Sequence, residues 1–549
     1  METTRFILLL ALGLVLTMLW QAWQEDYGQP TEPVTATLQE NDFEPSLKES
    51  ADIPTVEEEV GAVADAIPQT TTETESLAGQ LINIKTDLFD IDINTRGATI
   101  ERLALLNYPV EKDRPDNPVL LLKNKADEFY WLQSGLLSKS DSANHKTIFS
   151  VDSDTYQLSG EQLEIDFTHE TPGGVVFVKT YTFNKGSYLV DLKHRVINNS
   201  GADWRGSAYA QINRTEPADS GSFFLYTYTG AVVSSPDNRY EKIDFSEIIN
   251  DKFTAEFPNA WVAMLQHYFF TALLPGDIND TYRYYTLNPD NKSYVIGAVT
   301  PVSSVSSGDS ADFLQHVYFG PKLQKELDQI ADGLELTVDY GIFWFIAKPL
   351  YWVLDNIHDY VGNWGWSIIL VTLFLKIIFY RLSAAGYRSM ANMRRVQPRL
   401  VAIKERYQND RARLNQAMMD IYKEEKINPL GGCFPILVQI PVFISLYWVL
   451  LETVELRQSP FALWIDDLSS PDPYFVLPAL MGVTMYVQQK LNPAPMDPVQ
   501  EKIMSFLPAM FTVFFLFFPS GLVLYWVANN ILSIAQQWMI TRSLEKTQP

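Results

Sequence analysis

The chain has little of what covalent or metal chemistry is usually built from. It holds one cysteine, Cys433, in 549 residues, which excludes a disulfide framework. Its six histidines are thinly spread with no metal-ligand spacing, and no paired-carboxylate or nucleophile motif rises above background. No catalytic residue, metal or cofactor is therefore expected. Positive charge is scarce as well. The 42 Lys and Arg against 66 Asp and Glu leave a net charge of −24, which argues against nucleic acid as a specific ligand. The deficit is largely local, because fourteen acidic residues between Glu25 and Glu75 stand against Lys48 alone.

What the chain does have is length and long apolar runs. At 549 residues it should hold two or three units, and its apolar residues gather at the two ends. Residues 6–23 are apolar, with Arg5 before them and Glu25 and Asp26 after. Trp20, Trp23 and Tyr27 fill the zone where a cleaved signal would need small residues. Residues 1–24 therefore read as an uncleaved signal anchor with a cytoplasmic N-terminus. Residues 25–80, acidic and poor in aromatics, suit a disordered tether.

From 81 to 340 the pattern turns to period two, as in LINIKTDLFDIDI (81–93), VVFVKTYTF (175–183), YLVDLKHRVI (188–197) and WVAMLQHYFFTALL (261–274). Turn clusters such as Pro172-Gly173-Gly174, Asn184-Lys185-Gly186 and Asn199-Ser200-Gly201 separate the runs. Many strands so punctuated predict a large β-sandwich outside the cytoplasm, with binding or scaffolding as its plain role. Residues 341–361 are aromatic, amphipathic and interrupted by Pro349, the pattern of a helix lying in the membrane interface.

Residues 362–549 carry five apolar segments, at about 364–382, 432–452, 473–490, 504–518 and 520–540, which with the anchor make six spans. Between the first two of these lies a basic stretch. Residues 388–426 hold ten cations (among them Arg394, Arg395, Arg399, Lys404, Arg406, Arg411 and Arg413) against five acidic residues. By the positive-inside rule this loop is cytoplasmic, and six spans return the C-terminus to the cytoplasm. Within 384–428, Met390, Met393, Leu400, Ile403 and Tyr407, then Leu414, Met418 and Ile421, recur at three-and-four spacing around a break at Gln408-Asn409-Asp410. That is a helical hairpin with a coiled-coil-like seam. Its basic outer face suits anionic lipid headgroups or the ribosome surface, or simply satisfies the positive-inside rule.

Lys376 lies twelve residues into the segment WGWSIILVTLFLKIIFYRL (364–382), about 18 Å along a helix. A cation at a helix centre costs about 2.5–3.5 kcal/mol on insertion scales. Two readings stand: a functional charge, or a long stem snorkelling to the nearer interface. Thr372 is four residues away on the same face. Gln439, Ser445, Asn529, Asn530, Gln536 and Gln537 add polarity in later segments. Such residues either face a wet cavity or bind helices together. No acidic residue lies at comparable depth to neutralise Lys376.

The runs NPLGGCFPILVQIPVFISLYWVL (428–450), VELRQSPFALWIDDLS (454–469), LPALMGVTM (477–485) and FPSGLVLYW (518–526) closely resemble the YidC family of membrane protein insertases. The likeness covers about residues 341–545, and the anchor, tether and sandwich resemble the Gram-negative form of the family. The resemblance implies a multi-domain membrane protein of the bacterial inner membrane. It would have six transmembrane helices, five of them a conserved core, and a large periplasmic antiparallel β-supersandwich. It implies an insertase and chaperone, not an enzyme, that moves short polar segments of nascent membrane proteins through a hydrated groove, alone or with the Sec translocon. Carried over by position, the groove residues are Lys376, Thr372, Gln439, Tyr525 and Trp526, with Ile440 and Phe443 on a hydrophobic slide. The implied partners are nascent chains with acidic or polar translocated tails, the ribosome, Sec components and anionic lipids. Three positions depart from the family: Lys376 stands where Arg is typical, Arg381 where Pro is common, and Trp526 where Tyr is common. Lys lacks the bidentate fork of Arg, which leaves electrostatic attraction rather than a carboxylate clamp. A solute transporter and an anchored carbohydrate enzyme are the rival readings. The first lacks a detectable inverted repeat and an acidic relay, and the second leaves the five apolar segments unexplained.

Overall fold

The computed structural model describes residues 79–125, 127–217, 227–407, 410–425, 434–492 and 498–546. The expected anchor, all but the last two residues of the expected tether, and Cys433 lie outside those residues.

The alternating runs form strands where their periodicity predicts them. The first becomes the hairpin of Leu81–Lys85 and Phe89–Asn94, and the second and third become Val175–Asn184 and Leu189–Asn198, paired antiparallel. The fourth splits into Trp261–Leu265 and Phe269–Pro275 around a tight connection. Gly174 and Gly186 adopt positive φ of 86° and 73° in the turns flanking Val175–Asn184, a conformation that favours glycine. The strands assemble into one eleven-stranded and one eight-stranded sheet. The expected all-antiparallel arrangement needs one correction, since Leu81–Lys85 pairs parallel with the short strand Thr155–Gln157. Residue 155 reaches that edge only after the chain has crossed through the bridge of Arg96 to Ile148, so it enters in the same direction.

Between the sheets lies one continuous apolar cluster, including Phe89, Ile91, Phe177, Tyr181, Trp204 and Trp261. On one strand an inward position is not apolar. On Val175–Asn184 the inward phase reads Val175, Phe177, Lys179, Tyr181, Phe183, and all five are buried. Lys179 Nζ donates to the carbonyls of Gly97 and Ser134 at 2.5 and 2.9 Å and lies 5.2 Å from the Phe149 ring centre. Burial pushes its ammonium down to about 7. Across the ladder sits His194, also buried, with neither ring nitrogen bonded. Burial, and then the Lys179 charge, hold it well below the usual imidazole range.

Among the described residues eight helices follow: α1 Trp344–Val361, α2 Trp364–Ile378, α3 Tyr380–Arg406, α4 Arg411–Glu424, α5 Phe434–Glu452, α6 Val476–Leu491, α7 Pro498–Phe514 and α8 Ser520–Lys546. Gly362 ends α1 at φ 68°, and the Asn363 side chain caps α2 by accepting from the Trp366 N–H at 3.1 Å. The expected span at 364–382 is not one helix. It stops at Ile378, turns by 70° at Phe379 and continues as α3. Among the described residues no single helix is long and apolar enough to cross a membrane; only α2 and α3 together pass that test. The helices nonetheless expose a dense set of apolar side chains, such as Ile377, Val483, Phe506, Val513 and Ile531, each at least half exposed. Soluble surfaces rarely carry so continuous a patch.

The sandwich rests on the connection between α5 and α6. Arg457 and Gln458 donate to the Pro109 carbonyl at 2.6 and 2.7 Å, and Lys112 donates to that of Asp466 at 2.7 Å. His267 meets the Leu451 carbonyl at 3.0 Å. Lys322, where the last strand ends, lies 3.6 Å from Glu452 at the end of α5, both 3% exposed.

Candidate groove among the helices

α2, α5 and α8 converge on a cavity of about 210 Å³. Thr372 and Lys376 come from α2, Gln439, Ile440 and Phe443 from α5, and Tyr525 and Trp526 from α8. The structure thus brings together all seven residues carried over as groove and slide. Leu375, Phe379, Val442 and Asn529 complete the lining.

The members differ in how committed they are. Thr372 is 1% exposed, and its hydroxyl donates back to the Ile368 carbonyl at 2.7 Å, so it is no free donor. Lys376 is half-buried and donates to Ser533 Oγ at 2.7 Å, and Ser533 in turn donates to the Asn529 carbonyl at 2.7 Å. No carboxylate pairs with Lys376 among the described residues. An ammonium has three donors, and this single bond leaves two of them. Phe443 packs against Tyr525 and Trp526 at 5.7 and 4.5 Å between ring centres, and the Trp526 indole N–H is buried with no acceptor. Ile440 is 45% exposed, at the outer edge of the same wall. The cavity therefore offers a cation and an unmet N–H against an aromatic floor, with an apolar exit along α5.

Ser533 was not singled out from the sequence. Its signal was its place four residues after Asn529, itself one of the polar residues of that segment, so the two share a face of α8. Arg381 lies beyond the break at Phe379, exposed and outside the cavity lining. The bend, rather than helical rotation along one continuous span, separates it from Lys376.

The hairpin expected at 384–428 consists of α3 and α4. Its seam holds Met393, Leu400, Ile403, Tyr407, Leu414, Met418 and Ile421 as expected, and adds Val396 and Tyr422 while leaving out Met390. Its cations divide by task. Arg395 and Arg399 pair with Glu425 at 2.9 and 2.7 Å, clamping one arm to the other while remaining exposed. Arg413 pairs with Asp410, the residue that caps its own helix, at 3.3 Å. Arg394 and Arg406 are exposed and Lys404 is half-buried, while the Arg411 side chain lies outside the described residues.

Comparison with known proteins bears on the whole length. The family model described as "60Kd inner membrane protein" matches residues 356–547, and that described as "YidC periplasmic domain" matches residues 81–353. A protein of Methylococcus capsulatus named membrane protein insertase YidC is 47% identical over 551 residues, covering 100% of this chain and 99% of the relative. One of the same name from Nitrosococcus oceani is 46% identical over 560 residues, covering 100% of both. Among solved structures, an active YidC insertase with its first transmembrane domain resolved matches 83% of this chain and 94% of its own, at 17% identity and a TM-score of 0.37.

Proposed function

The chain belongs to the YidC family of inner-membrane protein insertases with a periplasmic domain, and from that premise we propose that the cavity between α2, α5 and α8 is the groove through which it works. The observation that carries the reading is the state of Lys376, a cation on a cavity wall with one hydroxyl partner and no carboxylate among the described residues. Moving a short polar segment across lipid costs several kcal/mol for each unpaired polar group. A hydrated pocket with a fixed positive charge lowers that cost for an acidic or polar tail. The apolar segment of the same substrate then leaves along Ile440 and Phe443 into the bilayer. No bond is made or broken.

The finer parts of the reading follow from the charge pattern. Six spans, including the anchor at residues 1–24, would put both termini in the cytoplasm and the sandwich at 81–340 in the periplasm. The α3–α4 hairpin would receive ribosomes and anionic lipid at the cations not engaged with Glu425. Sec components would be partners for larger substrates.

The test is reconstitution of the full chain in liposomes with a single-span substrate bearing an acidic translocated tail. Wild type and Lys376→Arg should insert it at similar rates. Lys376→Glu should lower insertion by tenfold or more, since reversing a charge at an effective dielectric near 20 shifts attraction by a few kcal/mol. Equal activity of all three, or equal loss in Lys376→Arg and Lys376→Glu, would remove electrostatic attraction from the mechanism.

A further inference from the structure

A second cavity, of about 380 Å³, opens toward the far end of α8, where Tyr387, Arg394, Gln537, Trp538, Thr541 and Arg542 contribute to its lining. Its depth follows from helix geometry. α8 begins at Ser520, whose N–H donates to the Ser470 carbonyl in the connection on which the sandwich rests. Trp538 and Arg542 come eighteen and twenty-two residues later, about 27 and 33 Å along the axis. The hydrocarbon core is about 30 Å thick. With α8 taken as the last span of the proposed topology, the cavity lies at the membrane boundary opposite the sandwich, at the level where Trp is enriched.

Two guanidinium groups from different helices, Arg394 of α3 and Arg542 of α8, meet there. Arg542 lies over the Trp538 ring, 5.1 Å from its centre. No acidic residue lines the cavity, and neither arginine pairs with a carboxylate among the described residues. Gln537 is only 4% exposed. Its Nε2 donates to the Leu491 carbonyl and to Asn492 Oδ1, each at 3.2 Å, which fixes the orientation of the amide. Its Oε1 is then left as a buried acceptor that no donor meets. Leaving such an atom unmet costs about 1–3 kcal/mol, so a ligand that donates to it gains by doing so.

Two cations with no carboxylate partner among the described residues, beside an unmet acceptor, describe an anion that carries its own donor. We propose that this cavity binds the headgroup of an anionic glycerophospholipid, the two arginines holding the phosphodiester oxygens and Gln537 accepting from a headgroup hydroxyl. The site shares no residue with the groove, and it stands independently of the groove reading. Its occupant is a lipid and not a free phosphate, because the cavity sits where headgroups are.

Native mass spectrometry of the full chain, released from mild detergent with defined lipid added, tests this. Phosphatidylglycerol should be retained over phosphatidylcholine, and excess inorganic phosphate should not displace it. Arg394→Gln with Arg542→Gln should reduce its retention by about tenfold or more, each cation near a headgroup contributing on the order of a fivefold factor. Arg381→Gln, which removes an exposed charge of α3 outside the cavity, should leave retention unchanged. Gln537→Leu should cut the preference for phosphatidylglycerol over phosphatidic acid. The double lysine variant, Arg394→Lys with Arg542→Lys, keeps both charges and should retain most of the binding. Displacement by phosphate alone would make this a free-anion site and overturn the lipid assignment. Equal loss in the Arg381→Gln control, or a loss in the lysine variant as deep as in the glutamine one, would overturn it as well.

Discussion

The sandwich and the helical region each take a lysine out of water, and they treat it in opposite ways. Lys179 is enclosed between two sheets, bonded to two carbonyls and packed on a ring. Lys376 stands on a cavity wall with one hydroxyl partner. The first has its bonding met by the fold and serves the fold. The second keeps bonding capacity in reserve, and a protein that must hold a polar segment for a moment needs such a reserve. Burial of a charge therefore says little about its role until its partners are counted.

Where the two regions meet, a third lysine offers the largest effect. Lys322→Met would leave Glu452 buried without its partner and should cost about 3–5 kcal/mol. Adding Glu452→Leu should recover most of that, as read from the melting of the full chain. If the single and double variants melt alike, the pair does not join the sandwich to the helices.

A direct exchange of the first two lysines comes next. Lys179→Ala removes a buried stem and leaves two carbonyls unmet, so the sandwich should lose about 3 kcal/mol while folded molecules still insert substrate. Lys376→Ala should cost under about 1 kcal/mol, one hydrogen bond, yet impair insertion of acidic tails. A reversal of either outcome breaks the contrast.

The last comparison is in pH dependence. The Lys179 ammonium is held at about 7 against an ordinary 10.5, so between those values the unfolded chain binds a proton that the folded one releases. Stability from this group therefore rises with pH across that window, and its penalty is complete below it. Thermal melts of wild type and Lys179→Met over the same range should diverge, with the variant showing the flatter slope. Parallel curves would mean that the lysine is solvated in the sandwich.

Much of this contrast was legible beforehand, for identifiable reasons. Period two shows in strands such as Leu81–Lys85 and Phe89–Asn94 because they bury alternate residues most deeply, and the turns at Gly174 and Gly186 mark their own ends. Lys179 could have been noticed as the one cation in the inward phase of VVFVKTYTF. Its contacts could not, since Gly97 and Ser134 reach it from a different sheet. The groove residues were reached through motif likeness, because spacing within α2 shows only that Thr372 and Lys376 share a face, not what they look at. The break at Phe379 left no trace in hydropathy. The apolar run continues through it, and no Pro or Gly marks the turn. Likewise the pairing of Arg395 and Arg399 with Glu425 depends on how the two arms of the hairpin align, which charge counting cannot see.

That break has a consequence for the cation beside it. Because α2 ends at Ile378, Lys376 belongs to the helix's last turn and not to its middle. The end of a helix carries about half a negative charge, spread over its last carbonyls. The backbone therefore gives Lys376 a fractional counter-charge that has no pKa and cannot be lost by mutation of a side chain. An ammonium neutralised only in part still draws a carboxylate, but more weakly than a bare one would. A tail held in this way is a tail that can be let go.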